Sequence, residues 1–290
     1  MKKLSLIARF VLPLLFLVVS ALTLKAEENR EPDKIMEYKK VGDVVLNAHV
    51  FYPEGYKPSE KKRPAIAFFF GGGWVSGHPK QFYQQARACN KLGMVSISFE
   101  YRIANKHKTT PFECVKDGKS AIRWIRKNAE MLGVDPDRVV ASGGSAGGHV
   151  AATTGVIEEH EEDGEDMSIS SVPNVMILNN PVIDTTSKGY GAVKVEGRET
   201  ELSPCHHVKR GIVPTIIFHG TKDKTVPFEN VERFTGLMKE AGNICVLVPF
   251  EGLGHGFFNG SWFRKKNGDA SFDKIMKDTE KFLREHNILN

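Results

Sequence analysis

Three residues, Ser145, Asp223 and His255, each follow an apolar run and could together turn a hydroxyl into a nucleophile. A serine hydroxyl attacks poorly unless a base takes its proton, and the base needs an acid to fix its tautomer. Ser145 lies in Gly143-Gly-Ser-Ala-Gly147, a match to the G-x-S-x-G nucleophile elbow. A serine at the tip of so tight a strand-to-helix turn leaves no room for side chains two positions either side, and glycine removes that collision. Asp223 ends Gly220-Thr-Lys-Asp223, and His255 lies in Gly252-Leu-Gly-His-Gly-Phe257. The order serine, acid, histidine is one of the known triad orders. His219 and Asp184 compete for the base and acid roles. His219 precedes the acid, and Asp184 follows its strand too early unless the acid has migrated.

Acyl transfer also needs preorganised N–H donors for the developing alkoxide, each worth about 3 kcal/mol of barrier. Ala146, directly after the nucleophile, offers one N–H. A second should come from a loop where backbone approaches substrate, and Phe70-Gly-Gly-Gly-Trp74 follows a buried strand as that role demands.

The elements that must position these groups are legible as hydrophobic runs. Residues 64–70 and 175–178 are continuous apolar stretches, as in strands buried on both faces. Residues 44–51 alternate, as an edge or antiparallel strand would. Further strands are expected at 94–99, 138–141, 214–219 and 244–250. Helices are expected at 81–92, 112–132, after Gly147, around 231–241 and around 272–283. Strands alternating with helices predict an α/β fold, a mostly parallel sheet covered on both faces. Such sheets gather reacting groups at the carboxyl ends of their strands. Residues 180–213 show no period and read as an excursion over the sheet edge that contributes to substrate selection.

Residues 1–26 stand apart. A basic start (Lys2, Lys3, Arg9), an apolar run from 10 to 24 and the small Ala26 before Glu27-Glu28 read as a secretory signal peptide, with an uncleaved anchor the competing reading. Residues 27–290 are then one catalytic domain, secreted or periplasmic, with no stable membrane anchor once the signal is removed. Removing 1–26 takes away Lys2, Lys3, Arg9 and Lys25 and no acid, so the formal charge falls from +5 to +1. The basicity belongs to the targeting segment and gives no argument for nucleic acid. Cys89, Cys114, Cys205 and Cys245 are scattered without a C-x-x-C, which disfavours a zinc site. No cofactor or metal is called for. Seven acids in the nine positions 158–166 read as a solvated surface loop, with calcium binding the competing reading.

Phe-Gly-Gly-Gly-Trp at 70–74, Gly-Gly-Ser-Ala-Gly-Gly at 143–148, His-Gly-Thr-Lys-Asp at 219–223 and Gly-His-Gly-Phe at 254–257 resemble the α/β-hydrolase superfamily. The branch they resemble most is the secreted acetyl-esterase and lipase-like carboxylesterases with an HGGG oxyanion loop. Glu100-Tyr-Arg102, Asp117-Gly118 and 123–128 are similar to that branch as well. The resemblance implies an α/β-hydrolase fold, Ser145 as nucleophile, His255 as base, Asp223 as acid, and Gly72, Gly73 and Ala146 as oxyanion donors. Phe70 stands where the pattern has histidine, a variant that looks like esterases acting on decorated plant polysaccharides. The expected substrate is a small ester or acylated carbohydrate, acetylated xylan being the model case. Trp74 is then a wall of the acyl site or a stacking platform for a sugar ring, with a core position beneath the loop as the alternative. A feruloyl esterase, an exopeptidase of the prolyl-oligopeptidase type and a catalytically inactive binding protein remain as competing functions. The peptidase type usually adds a large domain, for which 27–290 leave little room.

Overall fold

A computed structural model describes residues 30–59 and 61–290. The proposed signal peptide lies outside the described residues. Among the described residues, eight strands form one sheet in the order β1-β2-β4-β3-β5-β6-β7-β8. They are β1 (Lys34–Val41), β2 (Val44–Phe51), β3 (Arg63–Phe69), β4 (Val95–Phe99), β5 (Val134–Gly144), β6 (Val175–Asn179), β7 (Thr215–Gly220) and β8 (Cys245–Phe250). The β1–β2 and β2–β4 pairs are antiparallel and every other pair is parallel. The main helices are α1 (Tyr83–Lys91), α2 (Pro111–Lys127), α3 (Ala146–Val156), α4 (Phe228–Glu240) and α5 (Ala270–Glu285). This is the α/β architecture expected from the sequence.

The central strands are buried along nearly their whole length, as β3 and β6 illustrate. Helices therefore cover both faces, and the polar ends of β5, β7 and β8 open together at one edge. Helix α2 begins with a capping box in which Thr110 and Glu113 exchange hydrogen bonds with each other's backbone, and Pro111 takes the first helical position. All four cysteines are buried free thiols.

Two regions differ from the sequence reading. Strand β1 is absent from it, because its alternation breaks where Glu37 pairs with Asn47 and Lys39 with Leu46. The extra residue, Tyr38, makes a bulge, so Tyr38 and Lys39 both turn inward and are buried. Charge at 39 then looks like a surface signal although the lysine is internal. Its ammonium lies 2.7 Å from Asp117 Oδ1 and 2.7 Å from Glu162 Oε2.

Residues 158–166 are the second difference, for this acidic loop is bound into the fold. Arg102 forks onto Asp117, with Nε 2.9 Å from Oδ2 and Nη2 2.8 Å from Oδ1, and also meets Glu162. Arg123 reaches Glu161 at 2.5 Å and Glu165 at 2.9 Å, and Lys119 holds Glu161 at 3.0 Å. Burial pushes the Glu161 and Glu162 carboxyls up, but hydrogen bonds and charge from Arg123, Lys119 and Lys39 outweigh it and hold both down. Glu161, Glu162 and Glu165 answer basic residues that are spread over β1, α2 and the segment after β4, whereas Glu158, Glu159, Asp163 and Asp166 are exposed as a surface loop would have them. No calcium site is needed to explain them, and the described residues contain no cluster able to hold a metal.

Candidate active site

The elbow is built as its spacing requires. Ser145 follows β5 directly and stands at φ 58, ψ −122, a strained conformation for a residue with a side chain. A Cβ at 147 would overlap the carbonyl oxygens of Phe69 and Phe70, and one at 143 would overlap the carbonyl of Gly147. Only glycine lets α3 start this close to β3. The turn is fixed from the far side by the Ser145 N–H, which donates to the Asn179 carbonyl at 2.9 Å.

Asp223 and His255 come from the ends of β7 and β8 and meet Ser145 there. His255 Nε2 lies 2.8 Å from Ser145 Oγ, and His255 Nδ1 lies 2.7 Å from Asp223 Oδ2. Asp223 is buried, yet its carboxylate is crowded with donors. The N–H groups of Thr225 and Val226 reach Oδ1 at 2.8 and 3.0 Å. Asn180 Nδ2 donates to Oδ2 at 2.6 Å. Burial pushes the Asp223 carboxyl up, but hydrogen bonds from His219, His255 and the Val226 N–H outweigh it and hold the group well below the usual carboxylate range. With Asp223 ionised, the proton of His255 stays on Nδ1 and Nε2 is left to accept from Ser145. The competitors fall away on geometry. Asp184 pairs with Arg233 at 2.7 Å and caps Thr186. His219 is buried, with Nε2 3.0 Å from the Val226 carbonyl and 3.3 Å from Asp223 Oδ2, behind the acid rather than beside the serine.

The glycine loop faces the serine across a cavity of about 250 Å³. Gly71, Gly72, Gly73, Ser145, His255, Tyr190 and Arg264 are among its lining residues. The Gly71 N–H is engaged by Gln81 Oε1 at 2.6 Å, and Gln81 in turn donates to Asn259 Oδ1 at 2.9 Å. No hydrogen bond among the described residues occupies the N–H groups of Gly72, Gly73 or Ala146. Ala146 opens α3, so its N–H has no partner within the helix.

Trp74 does not serve as the expected platform. It is 1% exposed, edge-on to His149 with centroids 5.0 Å apart and tilted on Tyr190 at 5.7 Å. A large ring at the base of a loop gains more from burial than from a solvent-facing position. The indole therefore supports the loop, and Tyr190 takes the cavity wall. Phe68, Phe69 and Phe70 are likewise core residues below the site. Tyr190 and Lys194 come from the irregular 180–213 segment, and the Lys194 ammonium donates to the Gly73 carbonyl at 2.9 Å.

A family model described as BD-FAE matches residues 53–198, and one for the dienelactone hydrolase family matches residues 174–286. The apo form of Thermogutta terrifontis esterase 2 superposes with a TM-score of 0.83 at 44% sequence identity, over 89% of this chain and 96% of that one. The chain belongs to the α/β-hydrolase esterases. Structures of the same Thermogutta esterase are described as propionate-bound and butyrate-bound. Esterase LipC of Mycobacterium tuberculosis is 26% identical over 68% of this chain and 54% of its own length. An acetylxylan esterase of Xylanibacter ruminicola is 26% identical over 79% of this chain and 47% of its own. The chain thus spans about half the length of these curated relatives.

Within this esterase fold, sequence reasoning missed several supporting residues. Asn180 had a faint signal, as a polar residue directly after a buried strand. Asn259 and Lys194 had none, because their partners Gln81 and Gly73 lie 178 and 121 residues away, and Gln81 reads only as a helix residue.

Proposed function

We propose that the protein is a serine carboxylesterase that removes short acyl groups, acetyl foremost, from hydroxyls of acylated carbohydrate such as acetylated xylan. The hydrogen-bonded series in which Ser145 and His255 line the cavity and Asp223 stands behind His255 carries the serine-esterase part of this reading. Ser145 Oγ attacks the ester carbonyl while His255 Nε2 takes its proton, and the alkoxide forms against the N–H groups of Gly72, Gly73 and Ala146. His255 then protonates the leaving alcohol, and a water molecule, activated the same way, releases the acid from Ser145.

The acyl preference rests on size. A cavity of about 250 Å³ falls below the roughly 300–1,000 Å³ of sites for larger ligands. The propionate-bound and butyrate-bound structures of the Thermogutta esterase support the same range. The carbohydrate half rests on the acetylxylan esterase among the relatives. Comparison of kcat/KM on p-nitrophenyl acetate, butyrate and octanoate tests the acyl half, and equal or higher efficiency on octanoate would end it. Acetate release from acetylated xylan, beside hydrolysis of methyl ferulate, tests the other. No acetate release there, with good activity on the acetate ester, leaves a generic esterase.

Export is part of the same proposal and rests on residues 1–26 of the sequence. N-terminal sequencing of protein from its host should begin near Glu27, and a sequence starting at Met1 refutes cleavage.

A further inference from the structure

Among the described residues that line the cavity, Arg264 alone carries a fixed charge. It is exposed, as are Lys265 and Lys266 beside it, and no acid among the described residues pairs with it. The loop backbone that carries it is tied down. The Arg264 N–H donates to the Gly260 carbonyl at 3.0 Å. Asn267 Nδ2 ties the same loop to the carbonyls of Gly256 at 2.9 Å and Asn259 at 3.2 Å. Gly256 is not in a left-handed conformation, so its backbone does not call for glycine. A Cβ there would instead overlap the Arg264 guanidinium. The guanidinium thus reaches back against Gly256, the residue that follows the base.

That position defines which half of a substrate it meets. His255 returns its proton to the leaving oxygen, so the alcohol must depart beside His255, where Arg264 stands. A guanidinium presents a planar fork of donors that matches a carboxylate in two parallel hydrogen bonds. We propose that Arg264 is a specificity-determining residue that receives a carboxylate on the alcohol half of the ester, making esters of hydroxy acids or sugar acids the preferred substrates. The inference rests on the esterase reading above and narrows it.

The test compares 3-acetoxybenzoate, which carries a carboxylate on its leaving phenol, with its uncharged methyl ester. The measured quantity is the ratio of kcat/KM values, anion over neutral. Arg264→Gln should lower that ratio roughly five- to tenfold, as loss of a partly solvated charge-assisted pair implies. Arg264→Lys should keep part of the ratio, since the charge remains without the fork. Lys277→Gln, on the exposed side of α5, removes the same charge elsewhere and should leave the ratio in place. Salt at about 0.5 M, with a screening length of roughly 4 Å, should shrink the wild-type ratio and not that of Arg264→Gln. A ratio within twofold of wild type in Arg264→Gln, or an equal loss on both substrates, overturns the assignment while leaving the esterase intact. A wild-type protein that hydrolyses neither ester overturns the esterase reading itself.

Discussion

Replacing Asp223 by asparagine changes one atom and should remove the base. Oδ1 of Asp223 accepts two backbone N–H groups, from Thr225 and Val226. Oδ2 accepts Asn180 Nδ2 and faces His255 Nδ1. An asparagine with its NH₂ at the Oδ1 position would set a donor against two fixed donors. The reverse orientation is better, because Asn180 Oδ1 has no partner and its amide can flip to accept. The new NH₂ then points at His255 Nδ1 and turns it into an acceptor. The imidazole proton moves to Nε2, where it faces Ser145 and can take nothing from it. Loss of the correct tautomer costs about 10⁴ in turnover, or about 5.5 kcal/mol of barrier. The loss should fall in kcat with KM within threefold, since Asp223 is buried behind His255 and does not line the cavity. Initial rates on p-nitrophenyl acetate between about pH 6 and 9, beside a thermal melt of the variant, measure it. A loss under tenfold, or one confined to KM, refutes the assignment of the acid. Asp184→Asn serves as the contrast, and a comparable collapse there would mean the acid had been misplaced.

Ser145→Ala should reduce ester hydrolysis at least about 10³-fold with an unchanged circular dichroism spectrum, and near-native turnover in pure protein would sink the nucleophile. Asp117→Asn should cost about 1.5–3 kcal/mol, because Lys39 and Arg102 lose one of their two acidic partners and keep only Glu162; a melting temperature within a degree of wild type would show the network to be dispensable. Acid should unfold the protein through carboxyls held down in the native state. Burial raises Glu100, but hydrogen bonds from His49 and Asn47 bring it to about 2. Such groups add stability above their unfolded value of about 4.3 and lose it as pH falls through the folded value. Melting temperature should therefore fall between roughly pH 4.5 and 2, and Glu100→Gln should flatten that slope.

The parts of the site that could be read in the sequence are those that glycine spells out locally. Gly143 and Gly147 leave a mark because the elbow cannot tolerate a side chain there, and strand ends mark Asp223 and His255 because parallel sheets open at one edge. What stayed hidden depends on distance. The bulge at Tyr38 breaks the two-residue period, so β1 leaves no strand signal. Glu161 and Glu162 read as solvated with their exposed neighbours because their partners sit on three other segments. The sequence leaves Trp74 between a cavity wall, a sugar platform and a core position because it cannot say which way a ring turns, and Tyr190 leaves no signal for the same reason.

The serine and its base lie 110 residues apart in the chain, and β8, which carries His255, pairs only with β7 at the sheet edge. During synthesis, therefore, the elbow is complete long before anything can draw a proton from it. The last strand cannot pair until β7 is in place, and Asn267 fixes the loop beyond His255 later still. A chain that has not yet added His255 carries Ser145 as an ordinary alcohol on a strained turn. A chain cut anywhere before residue 255 therefore keeps the elbow and lacks the base that would activate it.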